Sequence, residues 1–156
     1  MALKPDRSAE YGSELGFYMN SVAERGGVVS LVSVGSGAAM DNANALVIYR
    51  STSSGASPVG VLMNDMVDVN LALYHLNPAK DEVQKGGKVN LRTWGWVVTN
   101  MLKSGDSPVA GSKAYLAPDG RFTITNTGEA DSPLVGRFWS SKDQDGYAKV
   151  SFNFLK

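Results

Sequence analysis

The chain has no cysteine and a single histidine, and its 15 basic residues are matched by 15 acidic ones. The missing cysteine excludes disulfides, thiolate-bound zinc and a cysteine nucleophile, and the lone His75 cannot build a multi-histidine metal site. The charge balance also holds locally. The first fifty residues carry four basic against five acidic side chains, the next fifty four against four, and the remainder seven against six. Nucleic-acid binding draws on a concentrated positive surface that displaces phosphate counterions, so neither nucleic acid nor an anionic membrane surface is an expected partner. Long apolar runs are absent too. The opening "MALKPDRSAEYGSELGFYMNS" carries Asp6, Glu10 and Glu14 and no stretch of signal-peptide length, and nothing resembles a membrane span. The chain is expected to be made, and to stay, outside a secretory route.

What is present points to strands. With 156 residues the chain has the length of one ordinary domain, and its 17 glycines punctuate short runs of β-branched and aromatic residues. An all-β domain is therefore expected over residues 27–156, compact and sandwich- or barrel-like. Residues 1–26 show neither helical nor strand period and read as an extended N-terminal arm. The aromatic knot Phe17-Tyr18-Met19 in this arm either packs on its own domain or docks on a neighbouring subunit.

The run "VVSLVSV" after Gly26-Gly27 is a first strand, "ALVIYR" (45–50) a second, and the polar "STSSGAS" between it and Val59 a loop. From Val67 to His75 apolar and polar residues alternate, which is a strand period; "AKDEVQKGG" after Pro78 reads as a loop or one helical turn. "KVNLRTWGWVVTN" sets Val89, Leu91, Thr93 and Val97 against Arg92, Trp94, Trp96 and Val98, with Gly95 marking a bulge or a close backbone approach. Both faces of that strand would then need cover, from a second sheet, an arm or another subunit. "SKAYLAPDGRFTITN" is a hairpin signal turned by "PDG". "LVGRFWS", "SKDQDG" and "YAKVSFNF" form a second one, burying Ala148, Val150, Phe152 and Phe154. "SPVGVLM" (57–63) and "SPLVGRF" (132–138) echo each other weakly, as two related β units would.

Candidate chemistry fails at each site. Asp143 and Asp145 before Gly146 resemble the opening of a calcium loop, but no acidic residue follows to complete it, so they are expected to shape a turn. Asp65 and Asp68 as an acid–base pair would fall on opposite faces of a strand. His75 has no serine in a nucleophile-elbow setting beside it. "GSG" and "QKGGK" lack the rest of a phosphate loop.

The ordered series "VGVLMNDMVDVN" (59–70), "GGKVNLRTWGWVVTN" (86–100), "GDSPVAGSKAYLAPDG" (105–120) and "PLVGRFWSSKDQDGYAKVSFN" (133–153) resembles the head decoration, or capsid cement, proteins of tailed bacteriophages. The resemblance covers most of the chain after Val59. It implies a β-rich, non-enzymatic protein without cofactor or metal. Such a protein sits on the outer surface of an assembled head, is synthesised in the host cytoplasm, and bridges subunits of the major capsid protein. It also implies self-association, as a homotrimer, with dimer and monomer found among relatives. On that reading Phe17, Tyr18 and Met19 are capsid or neighbour contacts, and Trp94 and Trp96 are inter-subunit or inter-sheet packing. Two other classes were open to the residues themselves. One is a carbohydrate-binding β-sandwich using the three tryptophans, displayed on a virion or secreted protein; the other is a small hydrolase using Asp65, Asp68 or His75.

Overall fold

A computed structural model describes residues 14–33, 46–63, 82–83, 85–126 and 132–154. Twelve strands and one short 3-10 turn form among them. Strands β1 (Glu14–Met19), β3 (Val28–Ser33), β4 (Leu46–Ile48), β5 (Pro58–Leu62) and β7 (Lys88–Arg92) close a small barrel in the order β1-β4-β3-β5-β7. Every pairing in it is antiparallel except β1 on β4. Five strands enclose room only for side chains. The interior is accordingly filled by Met19, Val29, Val47, Leu62, Val89 and Leu91, all fully buried.

Strands β8 (Trp94–Thr99), β9 (Lys113–Leu116), β10 (Phe122–Thr123), β11 (Leu134–Phe138) and β12 (Ala148–Asn153) make a second, antiparallel sheet ordered β10-β9-β11-β12-β8. Only Thr93 separates β7 from β8, so a nearly continuous extended segment leaves the barrel and enters the second sheet. Its alternation largely follows the one the sequence shows: Val89, Leu91, Thr93, Val97 and Thr99 are buried and Trp94 is exposed, but Arg92, expected on the face with Trp94, is buried as the segment crosses between the sheets. The register of β8 on β12 runs unbroken through Gly95, whose φ is 133°, so the glycine supplies backbone freedom in place of a bulge.

The two halves have separate apolar clusters joined through shared strands. Period two makes β3 and β5 two-sided. Val29 and Leu62 point into the barrel, while Val28 and Val61 join the cluster of Val97, Leu116, Phe122, Phe138, Val150 and Phe152 beneath the second sheet. Polar contacts brace the barrel side of this seam, and others cross it. The hydroxyl of Tyr49, just after β4, accepts the Gly27 N–H at 3.0 Å and donates to the Glu24 carbonyl at 2.5 Å. Its ring lies against Gly120 of the 3-10 turn Pro118–Gly120, where an added Cβ would sit 2.4 Å from the ring. Ser53 of the polar loop and Ser132 ahead of β11 share a buried hydrogen bond at 3.1 Å.

Two expectations need correction. The segment after Pro78 contains a two-residue strand, β6 (Glu82–Val83), which pairs with β2 (Ala23–Glu24); so short a pairing leaves no sequence period to detect. The arm expected over residues 1–26 is, from Glu14 onward, part of the barrel: β1 lies in continuous register on β7 from Glu14↔Arg92 to Tyr18↔Lys88. Gly12 and Gly16 and the interspersed charges hide this in the sequence, because a strand held on both sides by hydrogen bonds does not require strict alternation of side chains. The barrel closes through β1, and residues 1–13 lie outside the described set.

Candidate functional site

The outward face of the second sheet is built row by row from the register. One row runs Lys113, Arg137, Ser151, Trp96 across β9, β11, β12 and β8. On one side of it Asn153 stands opposite Trp94. On the other Lys149 stands opposite Val98, and the Trp139 amide donates to the Lys149 carbonyl at 2.8 Å. The inward face of the same strands carries Val97, Ala114, Leu116, Phe138, Ala148, Val150 and Phe152, so alternation alone sends all three tryptophans outward.

Two of the three tryptophans on this face, Trp96 and Trp139, are held. Lys149 Nζ lies 3.7 Å from the centroid of the Trp96 ring, a cation–π contact that covers the indole face. Trp139 Nε1 donates to Ser151 Oγ at 2.7 Å, and Ser151 Oγ donates in turn to the Arg137 carbonyl at 3.3 Å. Even so, Trp139 is 56% exposed, Leu134 58% and Trp94 40%. A groove of about 260 Å³ crosses the face between Lys113, Leu134, Gly136, Arg137, Ser151 and Asn153. Gly136 opens it. A Cβ there would lie 1.8 Å from the Ser151 carbonyl oxygen, so no side chain fits between β11 and β12.

The other residues singled out in the sequence separate clearly. Met19 is fully buried and so presents no contact surface; Phe17 is half-buried and packs against the barrel cluster, and Tyr18, also half-buried, alternates away from them. Trp94 and Trp96 stay out of the inter-sheet core and share the outward face. Asp65, Asp68 and His75 lie outside the described residues. Asp143 shapes a turn: its Oδ1 accepts the amides of Asp145 (3.0 Å) and Tyr147 (2.8 Å), and Gly146 follows at φ 85°. Among the described residues no cluster of three metal-ligating side chains forms, and no helix is long and apolar enough to cross a membrane.

Sequence reasoning missed Lys113, Arg137 and Lys149. The alternation of β12 marks Lys149 as outward, but placing Lys113 beside Arg137 needs the β9–β11 pairing, which joins segments about twenty residues apart.

Comparison with known proteins gives matches at the level of family and of fold. Residues 15–153 fit the family model described as phage structural cement protein (E217 gp24/Pam3 gp6). The crystal structure of the head fiber gp8.5 N base of bacteriophage phi29 shares the fold, with a TM-score of 0.53 at 11% identity over 94% of this chain and 98% of that one. No curated protein matches the sequence.

Proposed function

This chain belongs to the phage structural cement protein family, a capsid structural family, and from that membership we propose that it binds the outer surface of an assembled head and bridges major capsid protein subunits. The observation that carries the reading is the family match across both the barrel and the second sheet, so the whole architecture, and no single motif, is what the family shares. The physical basis is linkage. A protein that buries surface across a seam only in the assembled state stabilises that state by its binding free energy, and about 2.7 kcal/mol accrues per site at a concentration a hundredfold above Kd. Many copies sum over the shell. Self-association, as a homotrimer, adds effective concentration, because each further contact is made intramolecularly.

On this reading the chain acts by binding alone, without a cofactor. Phe17, Tyr18, Trp94 and Trp96 are proposed contact residues, joined by Trp139 and Leu134. Exposed aromatic side chains already held in place lose little conformational freedom on docking. The test mixes purified protein with matching heads that lack it. Symmetric added density by electron microscopy and a raised head-disruption temperature are expected; heads that gain neither refute the proposal. Sedimentation equilibrium of the free protein checks the trimer, and a single species at the protomer mass refutes that part.

A further inference from the structure

We propose that the groove between Lys113 and Arg137 receives an extended acidic segment of the coat protein, an inference that rests on the cement reading and names the surface and chemistry by which docking occurs. The strands of the second sheet carry three cations, Lys113, Arg137 and Lys149, and no carboxylate. All three alternate outward. Lys113 and Arg137 stand directly opposite each other in the β9–β11 register. Like charges at directly opposed positions destabilise a sheet, so this pair weakens the free protein and is relieved when an anion lies between the two. The groove sits at this pair, and Leu134 at its margin offers an apolar contact.

The groove's position selects the mode of recognition. Strand β11 lies between β9 and β12, so its backbone hydrogen bonds are taken and a segment cannot add as a further strand. Recognition therefore falls to side chains, with the Arg137 guanidinium able to grip a carboxylate through two parallel N–H bonds. A sugar fits the same face less well. Stacking on a pyranose needs a bare indole face, whereas Lys149 covers a face of Trp96, the tryptophan that shares the row of Lys113 and Arg137.

The test measures occupancy on undecorated heads at about 0.15 M salt for the wild type, Lys113→Glu, Arg137→Glu and the double variant. Lys85→Glu, an exposed charge in the barrel half, serves as the control. Poly-glutamate and a sulfated polysaccharide are added as competitors. The expected result is about a tenfold loss of affinity for each reversal, retention of affinity by the control, and competition by poly-glutamate. Lys113→Glu should melt no lower than the wild type, since it turns a like-charge pair into an opposite one; lost binding is then not lost folding. Reversed variants that decorate heads as the wild type does overturn the inference and leave the cement reading standing. Polysaccharide binding that the reversals abolish, with head occupancy intact, overturns it in favour of a glycan. Wild type that fails to decorate heads removes both.

Discussion

Replacing Gly136 by alanine tests the close approach on which the second sheet depends. The added Cβ would lie 1.8 Å from the Ser151 carbonyl oxygen, 2.8 Å from the Ser151 carbonyl carbon and 3.0 Å from the Phe152 Cα. All three are backbone atoms of β12, so no side-chain rotation relieves the overlap. Real Cβ contacts stay beyond 3.0 Å, which requires β11 and β12 to part locally by at least 3.0 − 1.8 = 1.2 Å. That displacement stretches the hydrogen bonds of the Gly136↔Phe152 pair and moves Phe138 and Phe152 off the core they share. Overpacking alone costs about 1–3 kcal/mol, and each weakened ladder bond adds about 1 kcal/mol, so a loss of about 3–4 kcal/mol is expected. In a domain of this size that lowers Tm by roughly 6–16 °C. Urea unfolding followed by tryptophan fluorescence measures it, with Gly105→Ala as the comparison. Gly105 also has a positive φ, 84°, but nothing lies within 4 Å of its added Cβ, so only backbone strain of about 1–2 kcal/mol applies. A Gly136→Ala midpoint within that range of the wild type, at unchanged m-value, refutes the reasoning.

Three further outcomes follow from the core and the seam. Burial, with the Glu24 charge adding to it, pushes the Tyr49 phenol above its ordinary value of 10.0, against the opposing effect of the Gly27 amide bond. The unfolded chain therefore releases this proton first. The contribution is complete below pH 10 and falls by up to about 1.4 kcal/mol per unit above it; Tyr49→Phe should lack that extra alkaline slope while being about 1–3 kcal/mol less stable near neutrality, and equal slopes rule the effect out. Met19→Ala should cost about 2–5 kcal/mol in chemical denaturation, because β1 closes the barrel; a near-neutral result would mean that the segment only rests on the domain. Asp143→Ala should cost about 1 kcal/mol through the two amides it frees, and calcium or a chelator should leave the Tm of the wild type unmoved; a calcium-dependent Tm would reopen the metal reading.

Much of the second sheet was legible because its strands are short-range hairpins. Two hairpin signals, at Pro118–Gly120 and around Asp143, fixed β9–β10 and β11–β12, and the clean alternation of β12 named its buried face. The barrel was less legible. Its closure joins β1 to β7, segments more than seventy residues apart, by backbone bonds that leave no periodic mark on "ELGFYM". The paired glycines of the Ser-Pro echo turn out to have a common physical basis. Gly60 in β5 and Gly136 in β11 each sit where an added Cβ meets a neighbouring strand, at 2.9 Å from Leu91 Cβ and 1.8 Å from the Ser151 oxygen. The candidate face was half legible: strand period sent Trp94 and Trp96 outward, but balanced charge along the chain concealed that folding gathers three cations on one sheet face.

The seam between barrel and sheet bears on the bridging role proposed above. A bridging protein resists the separation of its partners only as far as its own parts resist sliding, so a two-part body needs a stiff joint. Here the joint is made three ways: covalently, with only Thr93 between β7 and β8; apolarly, with Val28 and Val61 of the barrel strands inside the sheet's core cluster and the Tyr49 ring against Gly120; and by hydrogen bonds from the Asp119 N–H to the Arg50 carbonyl and between Ser53 and Ser132. Dense apolar interiors transmit displacement instead of absorbing it. The outward row of Lys113, Arg137, Ser151 and Trp96 stands on the opposite face of strands whose inward residues form that same cluster. On the bridging reading, a load taken up at the sheet's outer face would pass through one strand thickness into the cluster that Val28 and Val61 of the barrel strands enter, and so into the barrel.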